Sequence, residues 1–357
     1  VAPTPAGSTA EGIAVRPELG GTLAFVRDNA IYSYQPQSGS VKKIIDDGRD
    51  MQFSRDGTQI TFVRDDGLYL AAADGSNQQR IVEQSAIVGP RWTDDGSKIA
   101  FERVINRNRP GSGEIWTIDV PGGTARKIAN GADPAWAPDG KRLAYVTEAS
   151  GEPARSQLRL TNWLGQNDWA VIKDLPENTP PLGVPGHEFT REQMGHPLFA
   201  PAWDAAGGSI YVPSIVGYQA LSDFGIWERA NAYQGSSTFV SELPGVTDGL
   251  AAPDRQAVVF TVGSPRGDMT LLARSLDPSA NQQYAWANYT ELAISSTPAW
   301  SPDSAALAFF RCAFDDPNRC DLVVTQPGQA TPAVLIADVF GTSGPDRESG
   351  LYLAWGR

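Results

Sequence analysis

Histidine, cysteine and clustered positive charge are scarce in this chain, and each shortage removes a class of function. Its 357 residues include only 2 His and 2 Cys. Two cysteines with no histidine nearby do not complete a zinc site. Against 41 acidic residues stand 29 basic ones, for a net charge of −12, and no run gathers Lys and Arg. A nucleic-acid binder must bring clustered cations to the phosphates, so that partner class is not expected. Nor is there a basic amphipathic stretch of the kind that lies on anionic lipid. No apolar run approaches the roughly 18 residues of a membrane span, so this chain is not expected to insert into a membrane. No Gly-x-Ser-x-Gly occurs either, which removes the usual serine nucleophile turn. What is present is 41% hydrophobic residues with 36 Gly and 27 Pro, a composition that builds a core and many turns rather than a disordered chain.

The first residues, Val1-Ala-Pro-Thr-Pro-Ala-Gly-Ser-Thr-Ala10, read as a tether extending over 1–18, of the kind that follows a removed signal peptide, a lipidated cysteine or a membrane helix. Cys312 and Cys320 bracket a short segment between two strand-like runs, Leu307–Arg311 and Asp321–Thr325. They are placed to close a hairpin with a disulfide, two buried thiols being the alternative. Disulfides persist mainly in oxidising compartments, so a periplasmic or extracellular location is expected, with anchoring through a missing N-terminal segment left open.

Internal repetition decides the expected fold. Phe53-Ser-Arg-Asp-Gly57, Trp92-Thr-Asp-Asp-Gly96, Trp136-Ala-Pro-Asp-Gly140, Trp203-Asp-Ala-Ala-Gly207, Ala251-Ala-Pro-Asp254 and Trp300-Ser-Pro-Asp-Ser304 are variants of one pattern. Pro90, Pro134, Pro201 and Pro298 each lie two places ahead of an anchor Trp. An aromatic within an apolar strand follows each anchor, at Phe62, Phe101, Tyr145, Tyr211, Phe260 and Phe309. Third and fourth strands complete each unit, joined by turns rich in Asp-Gly, Gly-Gly and Pro-Gly. Such units are four-stranded antiparallel meanders, which bury their faces against two neighbours. The chain opens on a second strand, Leu19–Arg27, and closes on an anchor strand holding Trp355. The expected fold is therefore all-β: a seven-bladed β-propeller occupying 19–357 as one domain, its C-terminal strand completing the first blade. Irregular anchor spacing leaves six or eight blades as lesser alternatives.

The Trp-Ser-Pro-Asp motif followed by strands such as Ile99-Ala-Phe101 resembles the WD40-like PD40 repeat of the TolB-type propellers, a bacterial periplasmic and extracellular group. It is similar, too, to the propellers of prolyl oligopeptidase relatives. The resemblance runs from about Leu19 to Trp355, departs from the pattern in the fourth and fifth units, and implies the fold rather than an activity. No hydrolase-length region follows the repeats, so the peptidase activity of those relatives is not expected. Propeller lyases that hold manganese with several histidines are disfavoured by the presence of only two.

The anchor tryptophans read as wedges between blades, and the Asp-Gly turns as reversals rather than calcium loops. Function is expected on the rim shared by the second-to-third-strand loops and the connections between blades. Long loops fall there: 103–113, 213–223, 313–319 and, longest, the insertion 174–199 with both histidines. Arg107, Arg109, Tyr218, Asp223, Arg266 and Arg319 are candidate contacts for a polar partner surface. His187, Glu188 and His196 are further candidates on the insertion, their spacing being no metal signature. No cofactor and no metal are expected. The leading reading is a non-enzymatic binding or scaffold module for a protein or glycan partner. The alternative is a hydrolase or lyase whose site lies at the channel mouth under 174–199.

Overall fold

Short runs of β-branched and aromatic residues between glycine- and aspartate-bearing turns form thirty strands among the described residues of the computed structural model. It describes residues 12–106, 111–151, 154–180, 182–184, 187–190, 194–216, 224–244, 246–263, 269–276, 283–285, 298–312, 316, 319–326, 329, 331–341 and 352–357. Blade 1 contains β1 (Thr22–Arg27), β2 (Ala30–Gln35) and β3 (Ser40–Ile45). Blade 2 is β4 (Arg49–Phe53), β5 (Gln59–Arg64), β6 (Gly67–Ala72) and β7 (Gln79–Glu83). Blade 3 is β8 (Ile87–Trp92), β9 (Lys98–Arg103), β10 (Glu114–Asp119) and β11 (Arg126–Asn130). Blade 4 is β12 (Ala132–Trp136), β13 (Arg142–Val146), β14 (Leu158–Asn162) and β15 (Trp169–Ile172), followed by a separate hairpin, β16 (Leu182–Val184) and β17 (His187–Phe189). Blade 5 is β18 (Ala202–Trp203), β19 (Ser209–Val216), β20 (Phe224–Asn231) and β21 (Ser236–Pro244). Blade 6 is β22 (Val246–Ala251), β23 (Ala257–Gly263), β24 (Met269–Ser275) and β25 (Gln283–Ala285). Blade 7 is β26 (Ala299–Trp300), β27 (Leu307–Cys312), β28 (Cys320–Thr325) and β29 (Ala333–Ile336), and the last strand is β30 (Leu353–Gly356).

Each blade is a four-stranded antiparallel sheet in sequence order, and β30 supplies the first strand of blade 1. Its register sets Trp355 opposite Leu23 and Leu353 opposite Phe25, so the tail completes the sheet that the head begins. The head makes a reciprocal contact. Ile13 bridges Ile336, the Ala14 N–H donates to the Leu335 carbonyl at 2.8 Å, and the Tyr34 hydroxyl donates to the Ala14 carbonyl at 2.8 Å. Residues at the end of the segment read as a tether thus lie along the outer strand of blade 7, covering part of an edge that would otherwise expose unpaired backbone groups.

The second strands sit between neighbouring blades and are apolar on both faces, as in Ile60-Thr-Phe-Val63 and Ile99-Ala-Phe101, all fully buried. The anchors add a directed bond at the seams. The indole N–H of Trp136 donates to the Arg91 carbonyl at 2.9 Å, that of Trp203 to Ala135 at 3.0 Å, and that of Trp300 to Leu250 at 3.0 Å. Trp92 reaches Gln52 in the same way at 3.3 Å. In each case the acceptor immediately precedes the anchor of the previous blade. Blade 6 has Ala251 in the anchor place, and there Trp227 and Phe260 meet edge-to-face at 5.0 Å to fill the wedge.

The turns after the anchors behave as the sequence suggests. Asp95 accepts the Thr93 and Ser97 hydroxyls and the Ser97 N–H, and these bonds hold its carboxyl down at about 2. Gly57, Gly96, Gly140 and Gly207 take φ values of 72°, 69°, 63° and 69°. The Cys312–Cys320 disulfide closes the β27–β28 hairpin between directly opposed residues. Two loop expectations need correction. The stretch 213–223 does not begin as a loop, because Pro213 through Val216 continue β19 opposite β20. The insertion 174–199 is not loop throughout, since it contains the β16–β17 hairpin.

Trp136→Phe removes one seam hydrogen bond and leaves the Arg91 carbonyl without that donor. It is expected to lower the free energy of unfolding by about 1–3 kcal/mol in urea titrations, with the blades otherwise intact.

Candidate functional site

The first strands line the centre of the ring, and each starts at the loop-rich end. Three residues before the anchor, four of them share an unusual backbone: Asp50, Gly89, Asp133 and Ala200 have φ of 46°, 58°, 53° and 42°. The register of β4, β8 and β12 shifts at this point. The resulting bulge turns an N–H toward the preceding blade. Gly89 donates to Asp50 Oδ2 at 2.5 Å, and Ala200 donates to Asp133 Oδ2 at 2.9 Å. Gly89 has no side chain to receive the Asp133 N–H, and Glu102 of β9 takes that place, Oε2 accepting it at 3.4 Å. A belt of carboxylates and amides therefore runs along the channel mouth from blade 2 to blade 5.

Burial and crowding of like charge set the electrostatics of this mouth. Desolvation first, and the Asp133 charge second, push the Glu102 carboxyl up to about 7, against the Asp133 N–H and the Arg91 guanidinium. Asp50 is raised as well, chiefly by burial, with the Gly89 N–H, Arg91 and Arg49 opposing. Gly113 is a condition of the arrangement, since a Cβ there would stand 2.5 Å from Glu102 Oε1. The mouth thus holds a carboxyl that exchanges its proton near neutrality beside carboxylates held by backbone amides.

The sequence candidates are distributed differently. His196 is not on the rim: it is fully buried between blades 4 and 5, with Nε2 bonded to Glu228 Oε1. Its backbone is gripped by blade 4, the His196 N–H donating to Ala154 at 2.8 Å and the Ser156 N–H donating to the His196 carbonyl at 3.0 Å. Ser214 of β19, bridged to Leu198, is equally buried, but its hydroxyl and His196 Nδ1 make no hydrogen bond among the described residues, so the three side chains form no nucleophile–base set. His187 and Glu188 lie in β17 opposite Val184 and Gly183. Arg319 is exposed beside the disulfide, its N–H donating to Asp316 at 3.0 Å. Arg107, Arg109, Tyr218, Asp223 and Arg266 lie outside the described residues. Sequence reasoning did not find Asp50, Glu102 and Asp133. The available signal was the recurrence of Asp three places before the anchors of blades 2 and 4, and again at Asp248 in blade 6.

Two expectations follow. Burial places the folded-state value of Glu102 above that of the unfolded chain, so protonation favours folding, and this stabilisation is lost as pH rises through about 7. Glu102→Gln should match the parent below about pH 5 and melt at higher temperature than the parent above about pH 8. A gap independent of pH in thermal melts would contradict this. Glu228→Ala leaves a buried imidazole without its hydrogen-bond partner and is expected to cost about 1–3 kcal/mol in chemical denaturation.

No family model matches this chain. The Tol-Pal system protein TolB of Zymomonas mobilis subsp. mobilis is 35% identical over 68 residues, 18% of this chain, and the matched stretch spans 14% of that protein's length. Among solved structures, an oligogalacturonate lyase in complex with manganese is similar at a TM-score of 0.63 and 14% identity, covering 90% of this chain and 94% of its own. The propeller domain of the Trilobed protease from Pyrococcus furiosus is similar at a TM-score of 0.59 and 12% identity, covering 94% and 99%. That domain is described as having an open velcro topology, whereas here β30 pairs with β1. Among the described residues no three His, Cys, Asp or Glu side chains converge to hold a metal ion, and His196 is engaged with Glu228. No helix among the described residues is long and apolar enough to cross a membrane. What the chain shares with these structures is its architecture, and it is a seven-bladed β-propeller.

Proposed function

We propose that this propeller is a non-enzymatic binding or scaffold module of the cell envelope or extracellular space, holding a protein or glycan partner on its loop-rich rim. The observation that carries this reading is the belt at the mouth, where Asp50 and Asp133 accept amides of the next blade and so serve the cohesion of the ring. Groups committed to backbone donors are poorly placed to change partners during a reaction. The disulfide supports the compartment, because such bonds endure where thiols are not kept reduced. The TolB-like repeats agree with that location. Arg107, Arg109, Tyr218, Asp223, Arg266 and Arg319 remain the proposed contacts, since Arg and Tyr concentrate binding energy at interfaces.

One observation favours a second reading. A carboxyl with a value of about 7 beside an aspartate is the pairing that acid–base catalysis uses, so a hydrolase or lyase site at the mouth would rest on Glu102 rather than on the histidines. A polyuronate substrate such as the lyase neighbour's name implies would meet a chain of net charge −12 and a mouth walled by carboxylates. A neutral carbohydrate suits that field better.

The two readings separate by experiment. Capture of a partner from envelope extracts, followed by replacement of Arg107, Arg109, Arg266 and Arg319 with Ser, is expected to weaken binding at least about tenfold with an unchanged melting temperature. Retained capture would move the site off the rim. Turnover of a neutral glycan that disappears in Glu102→Gln would instead establish the enzyme.

A further inference from the structure

Three departures from the repeat meet at one point. In the turns after the anchors the regular form is Pro138-Asp139-Gly140, but Arg55 and Asp94 replace the proline in blades 2 and 3, and Arg255 replaces the glycine in blade 6. Arg255 keeps the glycine's backbone, with φ of 58° against 63° at Gly140. A side chain at that position is penalised because its Cβ crowds the backbone; Ser304 of blade 7 bears the same φ, at 62°, and what sets Arg255 apart is that its side chain bonds to other blades.

Its guanidinium crosses the ring. Nη2 donates to Asp94 Oδ1 at 3.0 Å, and Nη1 donates to the Trp136 carbonyl at 3.2 Å. The other oxygen of Asp94 pairs with Arg55 Nη1 at 2.6 Å. Blade 6 is thereby joined to blade 3, to blade 4 and, through Asp94, to blade 2, none of which adjoins it in the ring. The Arg255 side chain is 15% exposed and that of Asp94 31%, so water screens the pair only in part. A repeat architecture in which units touch only adjacent units opens locally, one seam at a time.

We propose that Arg255 is a cross-ring tie: it couples the opening of blade 6 to that of blades 3 and 4.

Arg255→Gly tests this without endangering the fold, because glycine is what four sister turns carry at that position. Hydrogen exchange is the readout. In the variant, the Thr93 and Gly96 amides, which donate to Lys98 and Thr93 in the blade 3 turn, are expected to exchange about tenfold faster. The Gly39 amide in the β2–β3 turn of blade 1 should keep its rate. Asp94→Ala should reciprocally speed the Ala252 and Arg255 amides in blade 6. Changes confined to blades 5 to 7 for the first variant, or to blades 2 to 4 for the second, overturn the proposal.

Discussion

A blade of four strands cannot bury its own faces, so everything in this molecule depends on how one wedge is held against the next. Apolar packing drives the association but has no preferred direction. Direction comes from the indole N–H of Trp92, Trp136, Trp203 and Trp300, each of which reaches the carbonyl just before the previous anchor, while the indole of Trp355 donates to the Gly20 carbonyl at 2.9 Å. A fixed bond at a fixed repeat position sets the angle and height of successive blades. The bulges at Asp50, Gly89 and Asp133 and the positive φ at Ala200 repeat the device at the other end of the first strands, where the Gly89 and Ala200 amides find carboxylate acceptors.

Where a unit abandons the pattern, the loss is made good by neighbours or turned to another use. Ala251 provides no indole, and Trp227 against Phe260 fills the space. Gly89 provides no carboxylate, and Glu102 reaches across from β9, at the cost of a carboxyl whose charge is disfavoured by burial. Arg255 provides no conformational freedom, and its side chain spans the channel. The chemistry that distinguishes this ring from a plain stack of repeats lies in these exceptions.

The same contrast explains how much was legible in advance. Anchors at Phe53, Trp92, Trp136, Trp203, Trp300 and Trp355 announce the blades because a large flat side chain recurring at a strand end has one economical use. The pairing of Cys312 with Cys320 followed from two strand-like runs around a short loop. His196 was misplaced on the rim for want of any local signal that it would turn inward. Only the approach of Glu228, 32 residues away on β20, makes a buried imidazole tenable. The acidic belt was missed because its members lie on different blades and are joined through backbone amides.

Repeat length, strand alternation, turn residues and the unmatched strands at the two ends settled the architecture from the sequence alone, because each is a local or periodic property that many residues express together. Tertiary structure alone decided the partners of single polar side chains: Asp50 with Gly89, His196 with Glu228, Arg255 with Asp94. Such pairs form between residues far apart in the chain, and a burial cost that has to be met by one particular partner leaves no periodic trace.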